Sequence, residues 1–401
     1  MRILQLCHKP PFPPTDGGSI AMNQITQGLL DKGYKVKVFA LVPSGMENML
    51  EQIPESYIET TEFESHPIHT KIKPLPALLN LVTGKSYNIS RFYNKNAESR
   101  LREILQTEEF DIIQMEGLYL TPYLPVIRDH TGTPILFRSH NIEHFIWERL
   151  AKSTTNPLKK LYLKILATRL RKYEMKTVHQ VDGLVAISPV DLRFFQRNGF
   201  SQPAVTIPVG MDEIIQDEGE TDVLENSVFH LGRMDWRPNL DGMKWFLDQV
   251  WPIVVSKNPM LTFVLAGINI PHHFYQYEGN NVVIAGEVPD ARSFLQRHQL
   301  MVVPLQSGGG MRVKIIEGMA TGKPIVSTSI GAEGIDCTHK ENILLADMPD
   351  EMANAILHCF DSPDMMLQLG QNARMFAIAN HSMPAIIEKL TDFYQTFYAS
   401  E

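Results

Sequence analysis

The sequence predicts an α/β protein made of two doubly wound domains, and three observations support this fold class. Short apolar runs alternate with amphipathic helical stretches, which is typical of mainly parallel sheets covered by helices. An acidic segment poor in apolar residues interrupts the pattern mid-chain, and the alternation then restarts. We therefore predict a first domain over residues 1–207, a linker over 208–225 and a second domain over 226–375. A C-terminal helix is expected within 376–401, and packing back on the first domain is one option for it.

The elements of each domain follow from the length and spacing of its apolar residues. In the first domain, strands are predicted at Arg2–Cys7, Lys35–Leu41, Asp111–Met115, Pro134–Ser139 and Gly183–Ile187, and helices at Ser19–Lys32, Ala97–Thr107, Ile142–Ala151 and Pro157–His179. In the second domain, strands are predicted at Ser227–Leu231, Leu261–Ala266, Asn281–Ile284, Leu300–Pro304 and Pro324–Thr328, with helices from Pro238 and over Arg312–Thr321. Two more helical stretches follow Asp361, the last at Met383–Ala399.

Composition excludes several classes of protein. The 401 residues include 44% hydrophobic and 20% charged residues, which is too apolar for a disordered chain. The net charge of −8 argues against nucleic acid as the main partner. Three widely spaced cysteines cannot form a disulfide framework or a four-thiolate zinc site. With neither a signal-peptide pattern nor a spanning apolar run, we expect a cytoplasmic protein, soluble or attached to the inner face of a membrane.

A first glycine-rich turn, Pro10–Ser19, follows the first predicted strand and contains Asp16, Gly17 and Gly18. Glycines before a helix let a ligand approach the bare backbone, so this turn is a candidate binding loop. The alternative is a loop that merely needs positive φ. The turn does not have the spacing of a dinucleotide-binding or P-loop motif.

A second glycine-rich turn, Gly308–Gly310, precedes a helix predicted to begin near Met311. Glycines carry no side-chain oxygen to cap the first helical N–H groups. Unless Ser307 reaches back, those donors and the positive end of the helix remain available to an external anion.

Charged residues surround this helix start. Arg312 and Lys314 place two cations near it, and Glu317 follows within reach of hydroxyls on the molecule that carries the anion. The alternative is a flexible loop in which Glu317 forms a surface ion pair with Lys314. The first interpretation predicts a site for a phosphorylated, hydroxyl-bearing ligand.

The segment Glu317–Val326 reads Glu-Gly-Met-Ala-Thr-Gly-Lys-Pro-Ile-Val and resembles the C-terminal signature of the retaining GT-B glycosyltransferases of family 4. Further matches are Phe229–Arg233, Ala186–Ser188, Asp16–Gly18 and Arg138–Glu143. The resemblance implies two Rossmann-like domains that face each other across a cleft. It also implies that a hexosyl or related sugar passes from a nucleoside-diphosphate sugar to a saccharide or glycolipid acceptor, in the synthesis of a cell-surface polysaccharide or other glycoconjugate.

The resemblance also implies roles for individual residues. Glu317 matches the glutamate that binds the nucleotide ribose, and Arg233 matches the arginine that grips the diphosphate. Two family side chains are replaced, a sugar-contacting glutamate by Gly309 and a lysine by Pro238. We therefore expect the missing cation to come from Arg312, Lys314 or Arg237, as in a variant subgroup with a Gly-Gly-Gly loop.

The same comparison predicts chemistry without a metal or other cofactor, because the chain contains no Asp-x-Asp motif. Arg233, Arg312, Lys314 and the helix start at Gly309–Met311 are expected to stabilise the leaving diphosphate instead.

Residues on either side of the reaction are also assigned by the resemblance. His140 is expected to touch the donor sugar or to position the acceptor. Asn141 and Glu143 are expected to order its loop, although Glu143 fits a helix-dipole role equally well. The base is expected against Ala285–Asp290, which includes Val288, while Asp290 equally fits a helix cap.

A basic helix is predicted in the first domain. Residues 152–176 hold eight cations and one acid, Glu174, with apolar residues at helical spacing. This pattern indicates either a peripheral contact with anionic lipid or simply a solvated helix face.

Two other functions remain open at this stage. A sugar-nucleotide 2-epimerase can have the same two-domain fold, but we find no convincing set of acid/base carboxylates for it. A non-catalytic nucleotide-sugar-binding protein would fit the replacements at Gly309 and Pro238.

Overall fold

The structure, a computed structural model, describes residues 1–70, 86–154, 156–211, 223–308 and 311–398. The chain forms two compact units, one made of Met1–Gly210 with Ile386–Glu401 and the other of Met211–Ala385. The division after Gly210 falls within the segment 208–225, of which residues 212–222 lie outside the described residues. The chain returns to the first unit at Ile386, later than the predicted boundary at 376.

The first unit contains a parallel sheet with the strand order β3-β2-β1-β4-β5-β6-β7. Its strands are β1 (Arg2–Cys7), β2 (Lys35–Pro43), β3 (Glu64–Ile68), β4 (Ile112–Glu116), β5 (Ile135–Ser139), β6 (Gly183–Ala186) and β7 (Ala204–Thr206). Helices cover both faces of such a sheet, so its central strands are buried along nearly their whole length. The five predicted strands of this domain are confirmed.

The helices of the first unit connect these strands. They are α1 (Gly17–Asp31), α2 (Glu55–Thr61), α3 (Tyr87–Ser90), α4 (Lys95–Thr107), α5 (Leu124–His130), α6 (Glu143–Ser153), α7 (Pro157–Val178) and α8 (Pro189–Arg197). The four predicted helices correspond to α1, α4, α6 and α7, with ends that differ by no more than a few residues.

The second unit repeats the architecture with the strand order β10-β9-β8-β11-β12-β13. Its strands are β8 (Ser227–Leu231), β9 (Thr262–Ala266), β10 (Val282–Gly286), β11 (Leu300–Val303), β12 (Ile325–Ser327) and β13 (Leu344–Leu345). Its helices are α9 (Arg237–Trp245), α10 (Trp251–Lys257), α11 (Ala291–Arg297), α12 (Val313–Ala320), α13 (Pro349–Asp361) and α14 (Pro363–His381). The last helix, α15 (Met383–Gln395), leads back into the first unit.

In each sheet the strand order reverses beside the first strand, between β1 and β4 and between β8 and β11. Ligands of open α/β sheets bind outside the carboxyl ends of the strands at such a point. At this edge of the first sheet lie His8, which follows β1, and Glu116, which ends β4. In the second unit Gly232 and Arg233 follow β8 at the equivalent edge.

Candidate active site

A pocket of about 530 Å³ lies at the carboxyl edge of the second sheet. Its apolar wall includes Leu231, Ile268, Val288, Ala291, Leu295 and Val313, and its polar groups come from Arg233, Lys314 and Glu317. The structure thus brings together four of the residues predicted for the site, Arg233, Val288, Lys314 and Glu317.

Two glycines form one side of this pocket by bringing two strand ends close together. Gly267 follows β9 with φ of 144°, and a Cβ added there would lie 1.7 Å from the carbonyl oxygen of Gly232. A Cβ on Gly232 would lie 2.5 Å from Nζ of Lys314. Backbone rather than side chain therefore faces the ligand space beside Lys314.

Lys314 extends its ammonium group toward the end of β8. Its Nζ donates to Oδ1 of Asn239 at 3.0 Å and lies 3.3 Å from Nε2 of His230. Burial, followed by the charge of Arg312, lowers the pKa of Lys314 to about 7. The positive charge is thus poorly compensated, which is the condition in which an anion binds favourably.

Glu317 lies on α12, one turn after Lys314, and opens into the same pocket. Loss of hydration raises the pKa of its carboxyl group, while the charge of Lys314 partly opposes the effect. Among the described residues Glu317 and Lys314 form no ion pair, so the alternative of a surface salt bridge is not observed. A carboxylate in this position can accept hydrogen bonds from vicinal hydroxyl groups.

Arg233 stands at the rim of the pocket with an exposed side chain. Its guanidinium donates to Asp235 at 2.8 and 3.1 Å, and Asp235 also accepts from Asn269. These hydrogen bonds, led by that from Arg233, lower the pKa of Asp235 to about 2. A phosphate that binds Arg233 must compete with the carboxylate of Asp235 for the guanidinium. The exposed side chain of Arg233 can exchange one partner for the other.

Helix α12 begins at Val313, two positions beyond the predicted start near Met311. Its N-cap residue is Arg312, whose side chain makes no capping hydrogen bond to the first turn. Gly309 and Gly310, predicted to bind the donor, lie outside the described residues. Met311 is half-buried and lies against Gly334 rather than lining the pocket.

Two of the three candidate replacement cations are not brought into the pocket. The buried Arg312 guanidinium lies over the Trp236 ring, 5.2 Å from its centroid. Arg237 starts α9 and forms an exposed ion pair with Asp241 at 2.8 Å. Ring stacking holds the first side chain and an i,i+4 pair holds the second, and the binding of the donor by either stays a prediction. Lys314 alone of the three lines the pocket.

Asp290 serves as the N-cap of α11, where it accepts from the N–H groups of Arg292 and Ser293 at 3.0 Å. Of the two interpretations of Asp290, capping is therefore the one observed.

The first unit presents a different cluster at its own sheet edge, centred on Glu116. His140 Nε2 lies 2.6 Å from one carboxylate oxygen of Glu116, and Arg138 Nη1 donates to the same oxygen at 3.2 Å. The other oxygen accepts from Gln5 at 3.0 Å and from Gln114 at 2.6 Å. Burial alone would raise the pKa of Glu116, but the charge of Arg138 and these hydrogen bonds lower it to about 2.

His8 lies beside this pair. Its ring meets that of His140 edge-on at 5.9 Å, and its Nδ1 donates to the carbonyl oxygen of Glu116 at 2.7 Å. Burial and the neighbouring His140 lower the pKa of His8 to about 4, so the ring is neutral at pH 7. With the proton on Nδ1, Nε2 is left as an acceptor. Neither His8 nor Glu116 was predicted as a site residue.

The Asp16–Gly18 turn is closed by the protein itself. Asp16 is the N-cap of α1, accepting from the N–H groups of Gly18 and Ser19 at 2.8 and 3.1 Å. Lys9 donates to its other oxygen at 2.6 Å. Neither Gly17 nor Gly18 has positive φ, so the alternative of a loop that needs positive φ is not observed. The side chain of Asp16 accepts from two of the first helical N–H groups, and the binding of a ligand at this turn stays a prediction.

The loop after His140 is ordered from two directions. Ser139 Oγ donates to the carbonyl oxygen of Asn141 at 2.9 Å, and the Asn141 side chain is exposed. Glu143 opens α6 and accepts from Tyr119 at 2.7 Å. Burial raises the pKa of Glu143 to about 7. The charge of Glu174 adds to this rise, and the hydrogen bond from Tyr119 partly opposes it. A carboxyl group that is half-protonated at pH 7 contributes little to a helix-dipole interaction.

Comparison with known families decides what kind of protein carries these sites. Residues 15–213 match the family model described as Glycosyltransferase Family 4, and residues 225–362 match the model described as Glycosyl transferases group 1. The two matches together span most of the chain. The chain belongs to the GT-B glycosyltransferases.

This glycosyltransferase has a full-length relative in Klebsiella pneumoniae, an uncharacterized 44.6 kDa protein in a cps region. The two are 22% identical over 396 residues, which cover 95% of this chain and 96% of the relative. A shorter match of 31% over 90 residues relates it to an uncharacterized glycosyltransferase of Methanocaldococcus jannaschii, covering 22% of this chain and 25% of that protein.

Solved structures confirm the predicted GT-B fold of this glycosyltransferase. HepE from Anabaena, crystallised with UDP, superposes with a TM-score of 0.64 at 16% identity, covering 99% of this chain and 100% of that one. Sucrose-phosphate synthase from Thermosynechococcus elongatus superposes with a TM-score of 0.65 at 15% identity, covering 100% of both chains.

Proposed function

We propose that this glycosyltransferase takes a hexosyl or related sugar from a nucleoside-diphosphate sugar and transfers it, with retention, to a saccharide or lipid-linked acceptor. The observation that carries the proposal is the pocket of the second unit, where Glu317, Arg233 and Lys314 surround an apolar wall. A nucleoside diphosphate needs this combination of a hydroxyl acceptor, cations and an apolar surface for its base. Retention rests on the family resemblance, and the Klebsiella relative from a cps region supports a role in surface polysaccharide synthesis.

In this proposal Lys314 supplies the cation that the family places at the position of Pro238. Its Nζ donates to Asn239, the residue next to Pro238. As the sugar–phosphate bond breaks, negative charge grows on the diphosphate, and Lys314, Arg233 and the uncapped start of α12 stabilise it. No metal is then required for this step.

His140 is the proposed contact to the donor sugar or acceptor, and Glu116 fixes its ring orientation through Nε2. We place the reaction in the cytoplasm, in keeping with three cysteines that form no disulfide. Among the described helices, none combines the length and the apolar character needed to cross a bilayer.

A panel of UDP-, GDP-, ADP- and dTDP-sugars tests the donor assignment in a thermal-shift assay with EDTA present. One nucleotide should raise the melting temperature, because a ligand at a hundred times its Kd stabilises the fold by about 2.7 kcal/mol. Glu317→Gln should weaken that ligand about tenfold or more by removing a charged acceptor. The matched control, Glu278→Gln, makes the same change at an exposed glutamate that does not line the pocket, and it should bind normally.

A second assay measures the release of free nucleoside diphosphate with and without an acceptor. Release that requires the acceptor indicates a transferase rather than an epimerase or a non-catalytic binding protein. An epimerase would change the sugar without an acceptor, and a binding protein would shift in melting temperature without turnover. Stabilisation only when a divalent metal is added would contradict the metal-free mechanism.

A further inference from the structure

Helix α7 carries an unusual outward face. Its inner face buries Leu163, Leu166, Ala167, Leu170 and Glu174 against the first unit. On the opposite side Leu158 is 78% exposed and Leu161 is 58% exposed. Lys172 and Lys176 continue the same face, since 158, 161, 165, 169, 172 and 176 recur at a spacing of three and four. The helix therefore shows an apolar surface at its start and a basic one at its end.

Helix α6 packs against α7 and also exposes large apolar side chains. Ile146 and Leu150, one turn apart, are 44% and 45% exposed. Single exposed leucines are common on soluble proteins, but four large apolar side chains on two helices in contact are a feature of interaction sites.

On α7 the exposed charge has one sign, whereas α6 also carries the partly exposed Glu148. The only acid between Lys152 and Lys176 is Glu174, which is fully buried. It accepts from Nδ1 of His144 at 2.6 Å and from the backbone N–H groups that begin α6. The outward face of residues 152–176 thus carries cations only, in a protein whose net charge is −8.

A pocket of about 490 Å³ opens at the basic end of the face. Lys172 and Lys176 line one wall, while Ile89, Tyr93 and Pro122 line the other. No acid lines this pocket among the described residues. Glu98 accepts from Tyr93 of the wall and is paired with Arg102 at 3.0 Å. The pocket thus offers ammonium groups and apolar side chains to one ligand, the combination suited to an amphiphilic phosphate.

We propose that the outward face of α7 binds the surface of a bilayer containing anionic phospholipid. Leu158 and Leu161 enter the interface between headgroups and acyl chains, and Lys172 and Lys176 bind headgroup phosphates. This surface goes beyond the proposed transferase activity and does not depend on it. It would hold the enzyme where lipid-linked acceptors reside.

The test is sedimentation of the full chain with vesicles, without donor or acceptor. Vesicles containing 30% phosphatidylglycerol should bind the protein in low salt and lose it as salt rises, whereas pure phosphatidylcholine vesicles should bind it weakly. Lys172→Gln with Lys176→Gln should weaken binding about thirtyfold. Leu158→Ser with Leu161→Ser should weaken it about tenfold or more.

Lys35→Gln with Lys389→Gln is the matched control, since it removes the same charge from exposed positions outside this face and should leave binding unchanged. Equal binding to both vesicle types, or equal loss with the control pair, would overturn the proposal. The proposal would also be overturned if the wild type formed a dimer without lipid and the leucine double variant were monomeric. The face would then bind a second copy of the chain. All of these variants keep the residues of the nucleotide pocket, so nucleotide-induced stabilisation reports on the proposed function separately.

Discussion

Lys314 is buried near another cation, so its surroundings disfavour the charged form of its ammonium group. Its pKa of about 7 means that much of the side chain is uncharged in neutral solution. A diphosphate beside Nζ would favour the charged form, and the protein would then take up a proton as it binds the nucleotide.

This linkage predicts how affinity depends on pH. Below pH 7 Lys314 is already protonated and affinity for the stabilising nucleotide should be nearly constant. From pH 7.5 to 9 the dissociation constant should rise by up to about tenfold per pH unit, because protonation must accompany binding. Titration calorimetry in buffers of different ionisation enthalpy measures the affinity and the proton uptake together.

Lys314→Met should bind the nucleotide more weakly and with no rise across this pH range. Lys257→Met should keep the wild-type dependence, since its side chain donates to Asn354 outside the pocket. A wild-type affinity that is flat above pH 7.5 would show that Lys314 does not contact the phosphate.

Single residues also show where sequence reasoning stops. The polar residues Gln5, Gln114, Glu116 and Arg138 interrupt apolar strands, and each is unremarkable alone. Strand register places them side by side, with Gln5 opposite Gln114 and Glu116 opposite Arg138. Register is set by tertiary pairing and cannot be derived from one strand, so the carboxylate that holds His140 was missed.

Among the secondary-structure elements, the ends of β8 and β9 approach so closely that the position after β9 requires glycine. A Cβ at Gly267 would overlap the carbonyl oxygen of Gly232, and its φ of 144° is unsuited to other residues. We predict that Gly267→Ala lowers the free energy of unfolding by about 3 kcal/mol or more and weakens nucleotide binding.

Gly17→Ala is the matched comparison, because the first residue of α1 has no atom within 4 Å of an added Cβ. It should be neutral or stabilise the protein by up to about 1 kcal/mol. Urea unfolding of both variants measures the difference. Equal stability of the two would mean that the strand ends separate without cost.

The elements that were predicted well are those with continuous apolar runs, such as β1 and β8, whose bounds match. Strand β3 was missed because it is largely half-exposed and contains Pro67, and β13 because it has only two residues. The N-cap role of Asp16 was missed although its Asp-Gly-Gly-Ser sequence fits a capping box, a local signal that was available.

For the chain as a whole, the C-terminal residues are part of the first unit's core. Leu390 and Tyr394 are completely buried, and the Tyr394 hydroxyl donates to Gln114 in the Glu116 cluster. Lys32 also donates to Thr391 at 3.0 Å. The core of the first unit is therefore complete only when the last helix is present.

Ending the chain after Ala385 should lower the free energy of unfolding of the first unit by more than about 5 kcal/mol, because several large apolar side chains are lost together. Limited proteolysis should then degrade the first unit faster while fragments of the second persist. A chain ending at Tyr398 is the control and should resist protease like the wild type. Unchanged resistance of the shorter chain would contradict the assignment of this helix to the first unit.

A parallel bridge between Met211 and Ser382 joins the start of the second unit to its end. In it the Met211 N–H donates to the carbonyl oxygen of His381 at 2.9 Å. The second unit is therefore an insertion between two parts of the first, and residues near its start and its end are hydrogen-bonded to each other. Exchange of residues 211–385 for the same block of a homologue would therefore replace the whole nucleotide pocket with only two junctions. If the proposed function holds, such an exchange should carry the nucleotide preference of the homologue into this chain while every residue of the first unit stays the same.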